Sequence, residues 1–152
     1  MIETAVSVSL REAVDEVLET MFFIESEALA AEDRPAEELV ASSVDFEGSP
    51  SGTLRLRITL EAARGMAADF LGEEASELPA ARTTEVIAEL ANMICGATLS
   101  RVESETTFRL SAPVTTVETG RLALTAEGAA ACHLGIPGGA LSVSFPCLGA
   151  GS

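Results

Sequence analysis

Between Thr53 and Leu60 the chain alternates strictly between polar and apolar residues. Since successive side chains of a strand point to opposite faces, this alternation predicts a β-strand with one apolar and one polar face. We expect the apolar face to point inward with Leu54, Leu56, Ile58 and Leu60. Residues 40–46 alternate in a similar way, and residues 47–52, rich in glycine and serine, separate the two stretches. Together they predict a β-hairpin with a glycine-rich turn.

The N-terminal part of the chain contains the first predicted helix. A capping box at residues 9–12, in which a serine is followed three residues later by a glutamate, predicts where this helix begins. Apolar residues then recur at helical spacing, so we expect the helix to bury one face and to end near Ile24. The segment 1–8 alternates weakly and is interpreted as a strand or an extended arm.

Two further helices are predicted after the hairpin. The alanine-rich stretch 61–70 has a helical composition, and Gly72 is expected to stop it. A longer amphipathic stretch contains residues 85–96. Thr83 or Thr84 is expected to cap this third helix.

After residue 100 the pattern indicates β-structure. Pro113 is expected to mark a strand edge or a bend, and residues 137–139 a turn. The candidate strands are 107–117, 121–126, 130–136 and 141–145. This order of elements predicts an α+β fold in which long helices pack on an antiparallel β-sheet. The length suits a single domain over residues 1–152, with a frayed tail at 148–152.

A faint internal repeat suggests two pseudo-symmetric halves. At an offset of 72 residues, Val14, Leu18, Thr20, Met21 and Phe22 correspond to Val86, Leu90, Asn92, Met93 and Ile94. Glu89 and Asn92 correspond to Val17 and Thr20, so the polar pair is present in one half only. We interpret the first helix as a structural partner of the third. The alternative is a chance match between two amphipathic helices.

The charge of the chain excludes several classes of function. Its net charge of −15 results from 24 acidic residues and nine basic residues, and all nine are arginines. A chain this acidic lacks the positive field that attracts phosphates, so no direct nucleic-acid binding is expected. The lack of lysine excludes a Walker-type phosphate loop and lysine nucleophiles. No apolar run approaches the length of a membrane span.

Few residue types that perform acid–base or metal chemistry remain. Tyrosine and tryptophan are absent, and His133 alone cannot form a paired-histidine zinc motif. A serine–histidine arrangement around His133 stays open, but no Gly-x-Ser-x-Gly motif is present and a structural role in a strand is favoured. The three cysteines have no C-x-x-C spacing, and no signal-peptide pattern opens the chain, so we expect a cytoplasmic protein with reduced thiols. Cys95 is either a reactive thiol or, as we favour, a small core residue.

The stretch 85–96 has a polar stripe opposite its apolar face. The apolar side contains Val86, Leu90, Met93, Ile94 and Ala97, and the polar side contains Glu85, Glu89, Asn92 and Gly96. Glu89 and Asn92 are three residues apart and therefore neighbours on the helix surface. A glycine inside a helix costs about 1 kcal/mol relative to alanine, and close approach of another molecule would explain Gly96. The alternative is an ordinary solvated helix face with a tolerated glycine.

This helix carries a resemblance to a known family. The pattern E-x-x-N followed by M-I-x-G, formed by Glu89, Asn92, Met93, Ile94 and Gly96, resembles the signature helix of the CheC/CheX/FliY chemotaxis phosphatases. The hairpin at 46–56 is similar to the F-x-G … G-x-L-x-L unit of the CheX-like group, and the helix at 61–72 and Pro113 follow in the family's order. The chain departs from the family at Glu85, where serine or aspartate is usual. A single E-x-x-N resembles CheX rather than the two-site CheC and FliY proteins.

The resemblance implies a CheC/CheX-like fold and a phosphatase that acts on a phosphorylated CheY-type response regulator. Asn92 would position the attacking water, Glu89 would pair with a lysine of the regulator, and Glu85 and Gly96 would contact this partner. Mg²⁺ would be supplied by the regulator, so the chain would need no cofactor of its own. The resemblance also implies a homodimer joined through an edge strand of each sheet.

Two alternatives belong to other functional classes. The first is a non-catalytic CheX-like binding module that docks on a response regulator or a signalling partner. The second is a structural dimer in which the face around Glu89 is only solvated surface. The presence of both Glu89 and Asn92 favours catalysis, because docking alone does not require this pair.

Overall fold

The computed structural model describes residues 2–29, 34–48, 51–103, 105, 107–124 and 128–146. Within these residues the chain forms the α-helices α1 (Ile2–Phe22), α2 (Leu60–Leu71) and α3 (Ala80–Val102), and a short 3-10 helix, Ala75–Glu77. The strands are β1 (Glu27–Ala28), β2 (Glu37–Glu47), β3 (Gly52–Thr59), β4 (Arg109–Leu110), β5 (Val114–Gly120), β6 (Ala129–Ile136) and β7 (Gly139–Pro146).

The strands form one antiparallel sheet in the order β1-β6-β7-β3-β2, and both β4 and β5 pair with the outer side of β2. The centre of the sheet is the β3–β7 pair, in which Arg55 lies opposite Ser144. Helix α1 contacts β6 and α3, and α3 contacts β2 and β5. The predicted α+β fold, with helices packed on an antiparallel sheet, is therefore confirmed.

The topology contains two related halves. The first half consists of α1, the edge strand β1 and the hairpin β2–β3, and the second consists of α3, the edge strands β4 and β5, and the hairpin β6–β7. Each half gives its edge strand to the hairpin of the other, because β1 pairs with β6 and β5 pairs with β2. The halves are thus interlocked through the sheet as well as joined at β3–β7.

The core lies between the helices and one face of the sheet. Leu54, Leu56 and Ile58 are fully buried, which confirms the predicted inward face of β3. Leu60 is only half-buried, because it begins α2 and does not continue the strand. The other large, fully buried side chains of this core are Leu10, Leu18, Ile87, Leu90, Ile94, Leu134, Phe46 and Phe145.

Two glycines of the hairpin make room for aromatic rings. A Cβ atom at Gly48 would lie 2.5 Å from the ring of Phe108, and one at Gly52 would lie 2.8 Å from the ring of Phe46. Phe46 in turn stacks on Phe145 with ring centroids 5.3 Å apart. The F-x-G … G-x-L-x-L pattern is therefore a packing motif, since each of its glycines faces a ring that leaves no space for a side chain.

Two predictions about helix beginnings are wrong. Segment 1–8 is neither strand nor arm, because α1 begins at Ile2 and the predicted cap at Ser9 lies inside it. Val6 is buried one turn before Leu10, so the apolar face of the helix extends upstream of the capping box. Helix α3 begins at Ala80, directly after Pro79, and neither predicted threonine caps it.

Two predictions about helix ends hold within two residues. Helix α1 ends at Phe22, close to the expected end at Ile24. Helix α2 ends at Leu71, and Gly72 follows in the left-handed conformation with φ of 70°. A glycine takes this conformation without the steric cost of a side chain, which explains the stop.

One predicted strand near the C-terminus is wrong. Residues 121–124 are not a strand but cross the face of the sheet opposite the helices, where Leu122 packs with Leu39 and Ala140. The backbone N–H of Leu124 donates to Oγ of Ser142 at 2.9 Å. Residues 125–127 and the tail 148–152 lie outside the described residues. The strands predicted at 130–136 and 141–145 are confirmed as β6 and β7, and the bend predicted at Pro113 separates β4 from β5.

Candidate functional site

Helix α3 is held in place by its apolar side. Val86, Leu90 and Ile94 are buried as predicted, together with Ile87, Ala91, Cys95 and Leu99. Met93 and Ala97 are only partly buried, because the contact surface is rotated toward positions 87, 91 and 95. The buried side packs against α1, α2 and the strands β2 and β5. So wide a contact fixes the rotation of α3 about its axis, and with it the direction of the opposite side.

The polar stripe lies on the solvent side of α3. Glu85 and Glu89 are exposed, and Asn92 and Gly96 are partly exposed. Glu89 and Asn92 are one turn apart, with a rise of about 4.5 Å between their Cα atoms along the helix axis. The structure therefore brings all four residues to one accessible surface, while their roles stay a prediction.

The two central side chains of this stripe have no polar partner among the described residues. Within the described part of the chain, neither the Glu89 carboxylate nor the Asn92 amide has a side-chain hydrogen bond or an ion pair. Glu85 differs, because its Oε2 lies 3.6 Å from Nε of Arg82 in an exposed ion pair. Such surface pairs contribute little stability and break readily when a partner arrives.

Among the described residues, no neighbour of Gly96 requires it to be glycine. A Cβ atom built at this position meets no heavy atom of the described residues within 4 Å. Alanine would fit and would favour the helix by about 1 kcal/mol. The space left by Gly96 is thus open to another molecule that approaches the backbone of α3.

His133 does hydrogen-bond a serine, but the pair is not built for nucleophilic catalysis. Nδ1 of His133 lies 2.9 Å from Oγ of Ser142, its cross-strand partner. Ser142 is 0% exposed, so its hydroxyl is inaccessible to a substrate. Burial also lowers the pKa of His133, which favours the neutral ring. The structural interpretation of His133 is the one that the geometry supports.

The described cysteines are not activated thiols. Cys95 is fully buried, and desolvation raises its pKa to about 12. Desolvation also raises the pKa of Cys132 to about 12, with smaller opposing effects of Arg11 and Asp15. A thiol with so high a pKa forms almost no thiolate at neutral pH, so Cys95 is a core residue.

The described residues contain neither a metal-binding cluster nor a membrane-spanning helix. In the ranges given above, no group of three or more histidine, cysteine, aspartate or glutamate residues is placed to hold a metal ion. None of the helices in these ranges is long and apolar enough to span a membrane.

The fold occurs in solved structures of chemotaxis proteins. A CheX protein from Vibrio vulnificus has a TM-score of 0.73 at 18% identity, covering 95% of this chain and 97% of that one. A CheX protein from Desulfovibrio desulfuricans has a TM-score of 0.67 at 18% identity, covering 91% and 96%. A chain of the CheX–CheY–BeF3–Mg²⁺ complex from Borrelia burgdorferi has a TM-score of 0.64 at 17% identity, covering 91% and 95%. Among curated proteins, none matches this chain.

The family is shown by the sequence itself. The family model described as "Chemotaxis phosphatase CheX" matches residues 40–136. This range contains most of the hairpin β2–β3, all of α2 and α3, and strands β4 to β6. The match covers more than half of the chain and includes the polar stripe with Glu89 and Asn92. The chain therefore belongs to the CheX family of chemotaxis phosphatases.

Proposed function

We propose that this chain hydrolyses the aspartyl phosphate of a CheY-type response regulator. The observation that carries the proposal is a pair of side chains, Glu89 and Asn92, that lack a polar partner in the described part of the chain and lie on the exposed side of a firmly packed helix in a CheX-family chain. The Borrelia structure, a complex that contains CheX and CheY, supports a regulator of this class as the partner.

In this proposal Asn92 positions the water that attacks phosphorus. An aspartyl phosphate is an activated acyl phosphate, so its hydrolysis needs neither a strong base nor a covalent nucleophile. Phosphoryl transfer then depends mainly on positioning and on charge stabilisation. One side-chain amide can hold a water in line with the leaving carboxylate and remove much of the entropic cost of attack.

Glu89 would fix how the two proteins are oriented. Its carboxylate is exposed and unpartnered within the described chain, and it would pair with a lysine near the phosphorylation site of the regulator. A charge pair enclosed in such an interface selects one register and orientation. Because Glu89 and Asn92 share one helix, a regulator aligned by the first residue presents its phosphate to the second.

The phosphate charge would be compensated on the regulator's side. Mg²⁺ bound by the regulator would supply that charge stabilisation, and this chain would contribute no ligand to it. Gly96, one turn beyond Asn92, would leave room for the loops around the phosphorylated aspartate. Glu85 would reach the regulator at the other end of the stripe after releasing Arg82.

The test is phosphate release from a Mg²⁺-loaded CheY-type regulator that is phosphorylated by acetyl phosphate. Wild type is expected to accelerate release. In Asn92→Ala this acceleration is expected to be about 100-fold smaller, because loss of correct positioning of a reacting group costs about this much in rate. Glu89→Ala is expected to lose activity mainly through weaker binding. Glu12→Ala removes an exposed carboxylate from α1 and serves as the matched control for charge.

The outcomes separate this proposal from its rival. Equal activity of Asn92→Ala and wild type would exclude the assigned mechanism. Binding of a phosphorylated regulator without faster phosphate release would favour the non-catalytic docking module. In that case Glu89→Ala would still weaken binding, while Asn92→Ala would change nothing.

We also propose that two copies of the chain associate through β5. This strand pairs with β2 on one side only, and within the described residues nothing pairs with its other edge. It exposes Val114, which is 67% accessible, and Val117, although a strand edge is normally protected by charge. Pairing of β5 with its copy would join the two sheets and cover these valines.

A further inference from the structure

Phe23 has a strained backbone conformation, and its side chain buries little surface that could compensate for the strain. Its φ of 55° lies in the left-handed region, where a bulky side chain is strained, and its side chain is 89% exposed to solvent. The residue follows the end of α1, a position that glycine usually occupies. The next residue closes the helix, since the N–H of Ile24 donates to the Leu18 carbonyl at 3.0 Å. A strained, solvent-exposed phenylalanine at a helix end indicates a function outside the fold.

The ring of Phe23 stands at one side of an apolar groove of about 610 Å³ between the end of α1 and α2, which we name the Phe23 groove. Its apolar lining includes Phe22, Ile24 and Met66. Phe22 lies against Phe70 with ring centroids 5.0 Å apart, and Phe70 is 44% exposed. The exposed apolar surface therefore continues beyond the groove itself, as it does at many interaction sites.

Gly65 is a second unfavourable residue in the same groove. It lies in the middle of α2, on the exposed side, and lines the groove together with Glu61 and Asp69 one turn before and after it. A Cβ atom at Gly65 would meet nothing within 4 Å, so packing within the described chain does not require glycine. A glycine here lets another backbone approach α2 closely. Residues 61, 65 and 69 follow the helix axis for about 12 Å, so the groove offers about two turns of contact.

The rim of the groove is acidic. Glu61 and Asp69 line it, with Arg64 as the basic residue between them. Exposed acids also flank its other lining residues, with Glu25 after Ile24 and Glu73, Glu74 and Glu77 around Ala75 and Ser76. An apolar floor within such a rim is complementary to apolar side chains that are flanked by positive charge.

We propose that the Phe23 groove docks a basic amphipathic helix of another protein. The apolar face of that helix would lie along α2 over Gly65 and cover Phe23, and its lysines or arginines would meet the acidic rim. None of the residues that line the groove belongs to α3. The inference therefore does not depend on the proposed phosphatase reaction.

Two other occupants fit the observations less well. A second copy of this chain would bring another molecule of net charge −15 against an acidic rim, because its nine arginines are outnumbered by 24 acidic residues. A small apolar ligand inside the groove would leave the projecting ring of Phe23 mostly in water. A basic helix satisfies both the charge of the rim and the exposed ring.

The experiment uses a fluorescein-labelled leucine–lysine peptide, with leucines at helical spacing, titrated with the full chain in fluorescence anisotropy. Wild type is expected to bind it, and a leucine–glutamate peptide of the same pattern is expected not to bind. Phe23→Gly and Gly65→Leu are each expected to weaken binding by about tenfold or more, one by removing the anchor and the other by filling the groove. Neither substitution changes the charge. Both should leave phosphate release from a regulator unchanged.

The variants also distinguish specific docking from attraction between opposite charges. If Phe23→Gly and Gly65→Leu bind the peptide as wild type does, binding is electrostatic only and the proposal is wrong. Loss of binding in Glu12→Gln, an exposed acid on α1, would lead to the same conclusion. Sedimentation at high salt is the third measurement. Self-association that Phe23→Gly abolishes would assign the groove to a second copy and overturn the proposal.

Discussion

Nδ1 of His133 and Oγ of Ser142 lie 2.9 Å apart across the β6–β7 pair, on the sheet face away from the main helices. Oγ of Ser142 also accepts the backbone N–H of Leu124. Its own proton is then free to donate to Nδ1 of a neutral imidazole. This small network ties residue 124 to the sheet, and it is completed best when His133 is uncharged.

The first prediction is that stability falls on mild acidification because of His133. Burial lowers its folded-state pKa below the ordinary value of 6.5, so the unfolded chain takes up a proton at a higher pH than the folded chain. Neutral His133 therefore makes its full contribution to the free energy of unfolding above pH 6.5, and this contribution is lost as the pH falls through the lowered pKa of the folded state. Thermal unfolding of wild type and His133→Gln, compared between about pH 7.5 and 5.5, tests this.

The variant supplies the control for that comparison. His133→Gln keeps a polar group near Ser142 but cannot titrate, so its melting temperature should change less with pH over this range. Every other titratable group is present in both proteins, so its effect on stability cancels in the comparison. Parallel pH profiles for the two proteins would show that His133 does not cause the effect.

The second prediction contrasts two glycines. Gly52→Ala is expected to destabilise the fold by about 1–3 kcal/mol, because its Cβ would lie 2.8 Å from the ring of Phe46 in a packed core. Gly65→Ala is expected to stabilise it by about 0.5–1 kcal/mol, because the site is open and alanine favours the helix. Urea unfolding of both variants and wild type measures the two free energies. Equal effects of the two substitutions would contradict the steric argument.

Much of the fold follows from local patterns in the sequence. The alternation at residues 53–60 specifies both the hairpin and its buried face, since a shift by one residue would expose Leu54 and Leu56. The repeat between α1 and α3 anticipates the two halves, because both helices must present the same apolar spacing to one sheet. The exchange of edge strands between the halves is a long-range pairing, which no local pattern encodes.

The errors and omissions have a common physical origin. The residue types around Ser9 are those of a helix beginning. Val6 is nevertheless buried against the core, so α1 extends upstream of that capping box. Residues 121–124 alternate like a strand, yet Leu122 is buried on the outer face of the sheet in a crossing segment. The exposed ring of Phe23 beside α2 was not predicted either, because it accompanies a left-handed backbone conformation. Tertiary contacts decide the first two cases, and a backbone conformation that no sequence pattern encodes decides the third.

The third prediction concerns association through β5. Val117→Lys is expected to convert the proposed dimer to a monomer, because it places two lysines at the joined edges of the sheets. Val8→Lys, at an exposed valine on α1, introduces the same charge elsewhere and should leave the dimer intact. Light scattering over a range of concentrations measures both. A wild-type chain that is monomeric at every concentration would exclude the β5 dimer.

The fourth prediction separates the stability of α3 from its function at Gly96. Gly96→Ala is expected to raise the free energy of unfolding by about 1 kcal/mol, because the site is open and alanine favours the helix. The added methyl group would stand where the regulator approaches, so the same variant should accelerate phosphate release less than wild type does. Gly96→Leu should lose most of the acceleration. Urea unfolding and phosphate release are measured on the same preparations.

The opposite signs of these two effects make the Gly96 test discriminating. If Gly96 had no role and were merely a glycine that a solvated helix face tolerates, Gly96→Ala would be more stable than wild type and fully active. If Gly96 were needed for packing within the fold, the variant would be less stable, contrary to the open space around its Cβ position. A more stable, less active variant is expected only where a partner approaches α3 closely. Weakened binding of the phosphorylated regulator to Gly96→Leu, measured without turnover, would place that approach at the stripe of Glu89 and Asn92.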